Sequence, residues 1–321
     1  MIGSVLRGGN SRRLLLLAAL AVGISILEIR FIQPANLRNV LLQMSIDGIV
    51  SCGLTLVILC GGLDLSVGAV TALSGVMFVI ALPMGVGLAG LLALLAGASV
   101  GLINGLLIGR IKLNALIVTL GTMAAVQGTA FWLSRGNPIP GPGGDFEMLG
   151  GGAFLYIPLP ILFFGLVALG GYLLLQDTQF GRDLYAIGGN REAARLADIA
   201  VESRECWAYV VCALLAAFSG MILASRLNTG SPIIGQDTPL QAIAAIVLGG
   251  TSLSGGRGGI VSTVIGMAIV AVLSNGLNLL NVPPAYQWAI KGSVLILVAG
   301  LDSARRHSPR PTPQTPGPRA S

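Results

Sequence analysis

The sequence Gly-Gly-Leu-Asp-Leu-Ser-Val-Gly at residues 61–68 interrupts one long apolar stretch, and Gly-Gly-Thr-Ser-Leu-Ser-Gly-Gly at residues 249–256 interrupts another. We call them the first and second glycine frames, because both have the form Gly-Gly-x-x-Leu-Ser-x-Gly. Glycine is costly inside a helix, and paired glycines with a short polar run break it. At membrane depth a broken backbone is tolerated only where it is buried in protein or lines a watery cavity.

Two such breaks in the two halves of one chain predict a transport pathway. The alternative is that both frames are ordinary glycine-rich turns at a membrane surface. The candidate pathway residues are Gly61, Gly62, Asp64, Ser66, Gly68, Gly249, Gly250, Ser254, Gly256 and Lys291.

The composition places the chain in a membrane. Charged residues make up 10% of the 321 residues, apolar residues make up 54%, and the mean hydropathy is +0.85. So few charges cannot cover a soluble core of this size, and lipid must therefore solvate the chain. The net charge of +6 is dispersed among loops, which indicates membrane topology rather than nucleic-acid binding.

The hydropathy pattern predicts an all-α, polytopic membrane protein with about ten transmembrane helices, broken at the glycine frames. With the N-terminus inside, basic residues concentrate in the cytoplasmic segments, which predicts that both termini are cytoplasmic. The predicted spans are 13–33, 40–60, 64–83, 86–109, 113–133, 157–176, 205–226, 238–254, 258–281 and 285–302. The basic residues assigned to the cytoplasm are Arg7, Arg12, Arg13, Arg110, Lys112, Arg182, Arg191, Arg195, Arg204, Arg257, Arg305, Arg306, Arg310 and Arg319, against Arg30, Arg38, Arg135 and Arg226 on the opposite face.

Three regions follow from this topology: a cytoplasmic segment at 1–12, a transmembrane domain at 13–303, and an Arg- and Pro-rich cytoplasmic tail at 304–321. The tail is polar and rich in proline, which predicts disorder. Arg12-Arg13 before an apolar run is similar to the start of a signal peptide. No convincing small-x-small cleavage site follows, so we expect an uncleaved first helix.

A stripe of small residues recurs every four positions along the fourth predicted span. Because lipid gives helices no hydrophobic drive to associate, such a stripe lets backbones approach closely. We expect the stripe to be buried inside one subunit, with a dimer seam as the alternative. Its members are Gly85, Ala89, Ala93, Gly97, Gly101, Gly105 and Gly109.

An internal repeat extends beyond the frames, because Asn-Gly-Leu at 104–106 is echoed at 275–277. On the predicted topology both frames lie near the cytoplasm, whereas the two echoes fall on helices of opposite direction. One match is therefore chance, or one of the short predicted spans is re-entrant.

The residues of conventional catalysis are missing from the sequence. It has no Gly-x-x-x-x-Gly-Lys-[Ser/Thr] phosphate cradle, and its only histidine, His307, lies in the tail. The four cysteines lie in apolar segments without CxxC spacing and are expected to be core residues. The sequence therefore predicts no enzyme, no catalytic residue, no cofactor and no metal site.

Ionisable residues inside predicted spans are functional candidates by default. Asp64 follows the first glycine pair and precedes an apolar helix, which predicts an N-cap of the third span, with a polar lining for solute as the alternative. Lys291 lies inside the last span and belongs either to a structural pair or to the pathway. Asp47 is a candidate partner for it.

The cytoplasmic stretch 177–204 contains a candidate docking helix. Gly188-Gly189-Asn190 breaks the chain, and Asn190 is suited to cap a short helix through Ile199. Leu196 and Ile199 are predicted to share an apolar edge, which suits docking into a groove of a soluble partner. The alternative is a basic loop that rests on lipid headgroups. The candidate docking residues are Gly188, Gly189, Asn190, Glu192 (in the first turn), Ala193, Ala194, Arg195, Leu196 and Ile199.

Three motifs together resemble a known family. They are Gly-Gly-Leu-Asp-Leu-Ser-Val-Gly at 61–68, Gly-Arg-Asp-Leu-Tyr-Ala-Ile-Gly-Gly-Asn at 181–190 and Leu-Gly-Gly-Thr-Ser-Leu-Ser-Gly-Gly at 248–256. From about residue 35 to residue 303 the chain is similar to the permease subunits of bacterial ribose/xylose/arabinose-type ABC importers. Leu63 stands where isoleucine is common in that family, and the Arg- and Pro-rich tail is not part of its pattern.

The resemblance implies a multi-pass permease of the bacterial inner membrane that carries a monosaccharide, either a pentose or a related sugar. It implies ATP-binding subunits, a periplasmic sugar-binding protein and a second permease subunit as partners, and contact of Glu192-Ala193-Ala194 with the ATP-binding subunit. The alternative is an ion-coupled secondary transporter, in which Asp47, Asp64 and Lys291 are the coupling groups. A membrane-embedded enzyme fits least, because no catalytic cluster is visible.

Overall fold

The computed structural model describes residues 8–290 and, beyond them, residues 292, 293, 296 and 300. Within these residues eight helices are long and apolar enough to cross a membrane, which confirms an all-α, polytopic membrane protein. The helices are α1 (Gly8–Leu27), α2 (Pro34–Leu59), α3 (Val67–Ala81), α4 (Val86–Gly105), α5 (Ala115–Leu133), α6 (Met148–Gly151), α7 (Leu159–Asp177), α8 (Gln179–Gly189), α9 (Arg191–Leu196), α10 (Val201–Leu227), α11 (Thr238–Leu248) and α12 (Ile260–Leu279). The strands are β1 (Ile139–Pro140), β2 (Ala153–Phe154), β3 (Ile157–Pro158) and β4 (Thr229–Gly230).

Helix α10 is the centre of the bundle and packs against α2, α3 and α4. The small-residue stripe of α4, which continues into a π-helical turn at Leu106–Arg110, faces α10. A β-carbon on Gly101 would lie 2.7 Å from the carbonyl oxygen of Tyr209, and one on Gly105 would lie 2.7 Å from Cα of Cys206. From Ala89 to Gly109 the stripe is therefore buried inside one subunit, as predicted, whereas Gly85 is exposed before the start of α4; the buried part brings two backbones together where larger side chains would hold them apart.

The ends of the helices form two chemically different surfaces. One end, which we call the basic end, brings Lys112 and the segment 182–204 next to the two glycine frames. At the opposite end β1 pairs antiparallel with β4, with Ile139 opposite Gly230, and β2 pairs antiparallel with β3. The basic end corresponds to the face that the charge pattern predicts to be cytoplasmic.

The eighth predicted span, 238–254, differs from a full transmembrane helix. Helix α11 is 11 residues long, and its rise of about 16 Å is roughly half the thickness of a bilayer core. The chain reaches α11 through non-helical backbone beside α3, where a β-carbon on Gly230 would lie 3.1 Å from the carbonyl oxygen of Gly75. The helical part of the predicted span 238–254 is therefore Thr238–Leu248, and it ends where the second glycine frame begins.

Several predicted features fall outside the described residues. The last predicted span, 285–302, begins in a helical stretch at 284–290, and most of the rest of it is not described. Lys291 and the tail at 304–321 lie outside the described residues, as does most of the predicted N-terminal segment.

The two Asn-Gly-Leu echoes occupy different surroundings. Asn104 lies near the basic end and donates a hydrogen bond of 3.0 Å to Ser66 Oγ. Asn275 exchanges two hydrogen bonds of 2.9 Å with Asn36, near the opposite end of the bundle. The two echoes therefore lie on helices that run in opposite directions. The symmetry operation that would relate them is not the one that would relate the two glycine frames.

Candidate functional site

The first glycine frame ends α2 and begins α3. Helix α2 ends at Leu59, Gly61 adopts a φ of +85°, and α3 starts at Val67. Asp64 Oδ1 accepts hydrogen bonds from Ser66 N at 2.9 Å and from Ser66 Oγ at 2.6 Å. The N-cap residue of α3 is Ser66, so the predicted N-cap role of Asp64 is wrong. Asp64 instead fixes the turn that leads into the helix.

A buried polar cluster supports this turn. Asp64, Ser66 and Asn104 have no exposed surface, and Asn104 Nδ2 donates to the Ser66 hydroxyl that itself donates to Asp64. Within the described part of the chain, Asp64 Oδ2 and Asn104 Oδ1 have no hydrogen-bond partner. In the sequence, Asn104 stood out only as part of the Asn-Gly-Leu echo. That repeat does not indicate that Asn104 contacts the first glycine frame.

The second glycine frame occupies the loop between α11 and α12. Ser252 N donates a hydrogen bond of 2.9 Å to the carbonyl oxygen of Arg257, which closes the loop on itself. Residues with a β-carbon rarely adopt the positive φ angles of this loop, so its path depends on glycine. The glycines at positive φ are Gly250, Gly255, Gly256, Gly258 and Gly259.

The two frames and the segment before α9 meet at one backbone carbonyl. Gly256 N donates a hydrogen bond of 2.9 Å to Leu59 O. A β-carbon on Gly255 would lie 2.8 Å from Gly61 N and 2.9 Å from Cα of Gly188, and one on Gly188 would overlap Leu59 O and Gly256 N. We call this meeting point, made by Leu59, Gly61, Gly188, Gly255 and Gly256, the glycine junction.

The remaining frame residues lie outside the glycine junction. A β-carbon on Gly62 would lie 2.6 Å from the Tyr209 hydroxyl oxygen, and one on Gly68 would lie 2.9 Å from Cδ of Pro239. Gly249 packs against α12, and the guanidinium of Arg13 covers Gly250.

The predicted docking helix is present as α9 but is shorter than expected. Asn190 caps it, because Asn190 Oδ1 accepts hydrogen bonds of 3.1 Å from the backbone N–H groups of Glu192 and Ala193. The helix ends at Leu196 rather than Ile199, and Asp198 follows with a φ of +60°.

The predicted apolar edge of the docking helix does not form, because its two residues lie in different surroundings. Ile199 packs against the core, whereas Leu196 is 90% exposed, so the two side chains do not share one face. The pair Gly188-Gly189 forms the end of α8 rather than a break, and the change of direction falls at Asn190, whose backbone is extended.

Ion pairs that the sequence did not indicate fix α9 to the start of α10. The Arg191 guanidinium donates to Glu205 Oε2 at 2.6 Å, and that of Arg195 donates to Glu202 Oε1 at 2.6 Å. The hydrogen bond from Arg195 to the Glu202 carboxylate raises the pKa of the Arg195 side chain. These pairs connect α9 to the first turns of α10, and we call the two segments together the docking unit, after the role predicted for α9.

A polar cavity of about 310 Å³ lies between the first glycine frame and the docking unit. Its lining includes the backbone of Gly61 and Gly62 and the side chains of Arg191, Glu205 and Tyr209. It lies at the point where the docking unit approaches the broken end of α2.

The described residues thus form a membrane helix bundle in which two glycine frames interrupt helices and meet beside the short helix α9. The chain belongs to the family described as "Branched-chain amino acid transport system / permease component", whose family model matches residues 36–299. It is therefore a membrane permease component and not an enzyme, and the resemblance drawn from the three motifs is confirmed.

The chain is also similar to curated sugar permeases. The ribose import permease protein RbsC of Bacillus subtilis (strain 168) is 46% identical over 287 residues, which cover 88% of this chain and 89% of the relative. The protein of the same name from Escherichia coli (strain K12) is 37% identical over 303 residues, covering 92% and 94%. The L-arabinose ABC transporter permease protein AraH of Azospirillum brasilense is 38% identical over 286 residues, covering 87% and 83%. No solved structure matches the chain.

Proposed function

We propose that this chain is the permease subunit of an ATP-driven monosaccharide importer in the bacterial inner membrane. The relatives named for ribose and L-arabinose support a pentose or a closely related sugar as the cargo. The glycine junction carries the proposal, because there the segment before the docking helix touches both broken frames. A movement of the docking unit that carries the adjoining end of α8 with it therefore reaches both candidate pathway breaks.

The ATP-binding subunit docks on α9. Leu196 is the apolar contact, because it is 90% exposed at the last residue of α9. Burying one such aliphatic side chain contributes about 1.5–3 kcal/mol to association. Glu192, whose side chain is 78% exposed, lies beside it for polar contact with the partner.

Closure of the ATP-binding subunits moves the docking unit as one body. Its ion pairs keep α9 and the start of α10 together, and the glycines at positive φ leave the neighbouring breaks without side chains that would obstruct a shift. The motion changes which end of the pathway is open, a rearrangement of packed elements between two arrangements. The permease itself performs no covalent chemistry.

The assembly contains two permease subunits, ATP-binding subunits and a periplasmic sugar-binding protein. Each permease crosses the membrane ten times, with the stretch that ends in α11 as one discontinuous crossing and both termini in the cytoplasm. The basic end faces the cytoplasm, because basic residues are retained on that side. The segment 1–12 and the tail 304–321 lie on the same side.

Co-expression of the permease with its ATP-binding subunit and sugar-binding protein tests the proposal. We expect the ATP-binding subunit to co-purify with the permease, and uptake of labelled ribose or L-arabinose to stop when the phosphate-binding lysine of the ATPase is replaced by alanine. Sugar uptake that persists with the inactive ATPase would contradict the proposal.

A further inference from the structure

We propose that Tyr209 is a positioning residue that links the docking unit to the first glycine frame, an inference that rests on the proposed function. Tyr209 lies on α10, is 1% exposed, and donates its hydroxyl hydrogen to Leu63 O at 3.2 Å. A β-carbon on Gly62 would lie 2.6 Å from the same hydroxyl oxygen. The phenol end is therefore held directly against the backbone of the frame.

The same helix carries the contact to α9. Glu205 lies one turn before Tyr209 on the same face of α10, and its carboxylate accepts the 2.6 Å hydrogen bond from Arg191, the first residue of α9. Arg191, Glu205, Tyr209 and Leu63 thus form a path from the docking helix to the break, made of two hydrogen bonds joined by one turn of α10, which we call the relay.

The cavity beside the relay explains how it can move. All four relay residues line the 310 Å³ cavity. A close-packed interior resists displacement, whereas side chains that border open space can shift without compressing their neighbours. Glu205 is 5% exposed, and separating it from Arg191 would leave a buried carboxyl group without its hydrogen-bond partner, so the pair moves together.

The consequence for transport is specific to the hydroxyl of Tyr209. When the docking unit moves, the hydrogen bond to Leu63 O moves the backbone of the first frame with it. Without the hydroxyl, the ATP-binding subunit still binds α9 and hydrolyses ATP, but the frame follows less often. Fewer sugar molecules are then imported for each ATP hydrolysed.

The variant Tyr209→Phe tests the inference, because it removes one oxygen atom and keeps the buried ring. In the reconstituted complex we expect normal co-purification of the ATP-binding subunit, normal ATP hydrolysis, and a fall of about fivefold in sugar imported per ATP, the value of one ordinary hydrogen bond. Tyr172→Phe, on α7 and outside the relay, is the control and should leave the ratio unchanged.

A merely structural role for Tyr209 would lower uptake and ATP hydrolysis in proportion. An unchanged ratio of uptake to ATP hydrolysis in Tyr209→Phe, at any level of activity, would overturn the inference. If the wild-type permease does not bind or stimulate an ATP-binding subunit, the proposed function itself fails, which is a different result.

The variant Glu205→Gln tests whether the relay acts as a unit. It should also lower the ratio of uptake to ATP hydrolysis, and the double variant with Tyr209→Phe should be no worse than the more severe single variant, since both interrupt one chain of contacts. If the double variant lowers the ratio by the product of the two single effects, Glu205 and Tyr209 act independently, and the inference that the relay acts as a unit is overturned.

Discussion

The glycine junction can be tested with two neighbouring residues that differ only in their surroundings. A β-carbon on Gly188 would overlap Leu59 O and Gly256 N, whereas one on Gly189 would have nothing within 4 Å. Both residues belong to the last turn of α8. Gly188→Ala and Gly189→Ala therefore add the same methyl group to the same helix, once into packed backbone and once into open space.

The expected magnitude follows from the contacts. Forcing a methyl group into a packed site costs about 1–3 kcal/mol. Weakening the hydrogen bond from Gly256 N to Leu59 O, now 2.9 Å, adds about 1 kcal/mol. The better helix propensity of alanine returns up to about 1 kcal/mol. The assembled junction is thus destabilised by about 1–4 kcal/mol in Gly188→Ala, roughly a 5- to 800-fold change in its population.

The assay is sugar uptake at matched levels of permease in the membrane, with co-purification of the ATP-binding subunit measured in parallel. We expect Gly188→Ala to lose most of its uptake and Gly189→Ala to retain it. Equal uptake by the two variants would refute the reasoning, because the methyl groups differ only in what they meet.

Three further predictions test the topology and the docking surface. In a background without native cysteines, Ser203→Cys should not react with an impermeant thiol reagent added from the periplasm. Asn137→Cys, at an exposed position at the opposite end of the bundle, should react with it. The reverse labelling pattern would show that the topology is inverted. Leu196→Asp should weaken ATPase co-purification tenfold or more. Leu155→Asp changes another exposed leucine, at the opposite end of the bundle, and should not weaken it. Equal co-purification of the ATPase with both variants would place the docking surface elsewhere. Gly62→Leu should abolish uptake with permease still in the membrane, because the side chain would collide with the buried tyrosine hydroxyl; normal uptake would mean that the frame is an ordinary turn.

Features that depend on local backbone chemistry were predictable from the sequence. The two glycine frames interrupt helices because glycine is costly inside a helix and a short polar run follows each glycine pair, and Asn190 caps α9 because its side chain reaches the N–H groups of the following turn. The stripe on α4 was predictable for a similar reason, since its four-residue spacing places small residues on one helix face.

Features that depend on tertiary contacts were not predictable from one sequence. Nothing local indicates that Gly188 meets the carbonyl oxygen of Leu59, since these residues are distant along the chain. Helical spacing placed Leu196 and Ile199 on one face, but α9 ends first, and the left-handed backbone at Asp198 turns Ile199 toward the core. Glu205 was taken as the first residue of a span, although its charge is buried against Arg191.

The central claim is that ATP hydrolysis on a partner drives a monosaccharide through this permease. Uptake of labelled ribose and L-arabinose into vesicles that contain the permease and its ATP-binding subunit, with the sugar-binding protein outside, tests it directly. We predict uptake that requires enclosed ATP and persists when ionophores collapse the proton and sodium gradients. Uptake that proceeds without ATP and stops when those gradients collapse would contradict the claim and establish the ion-coupled alternative.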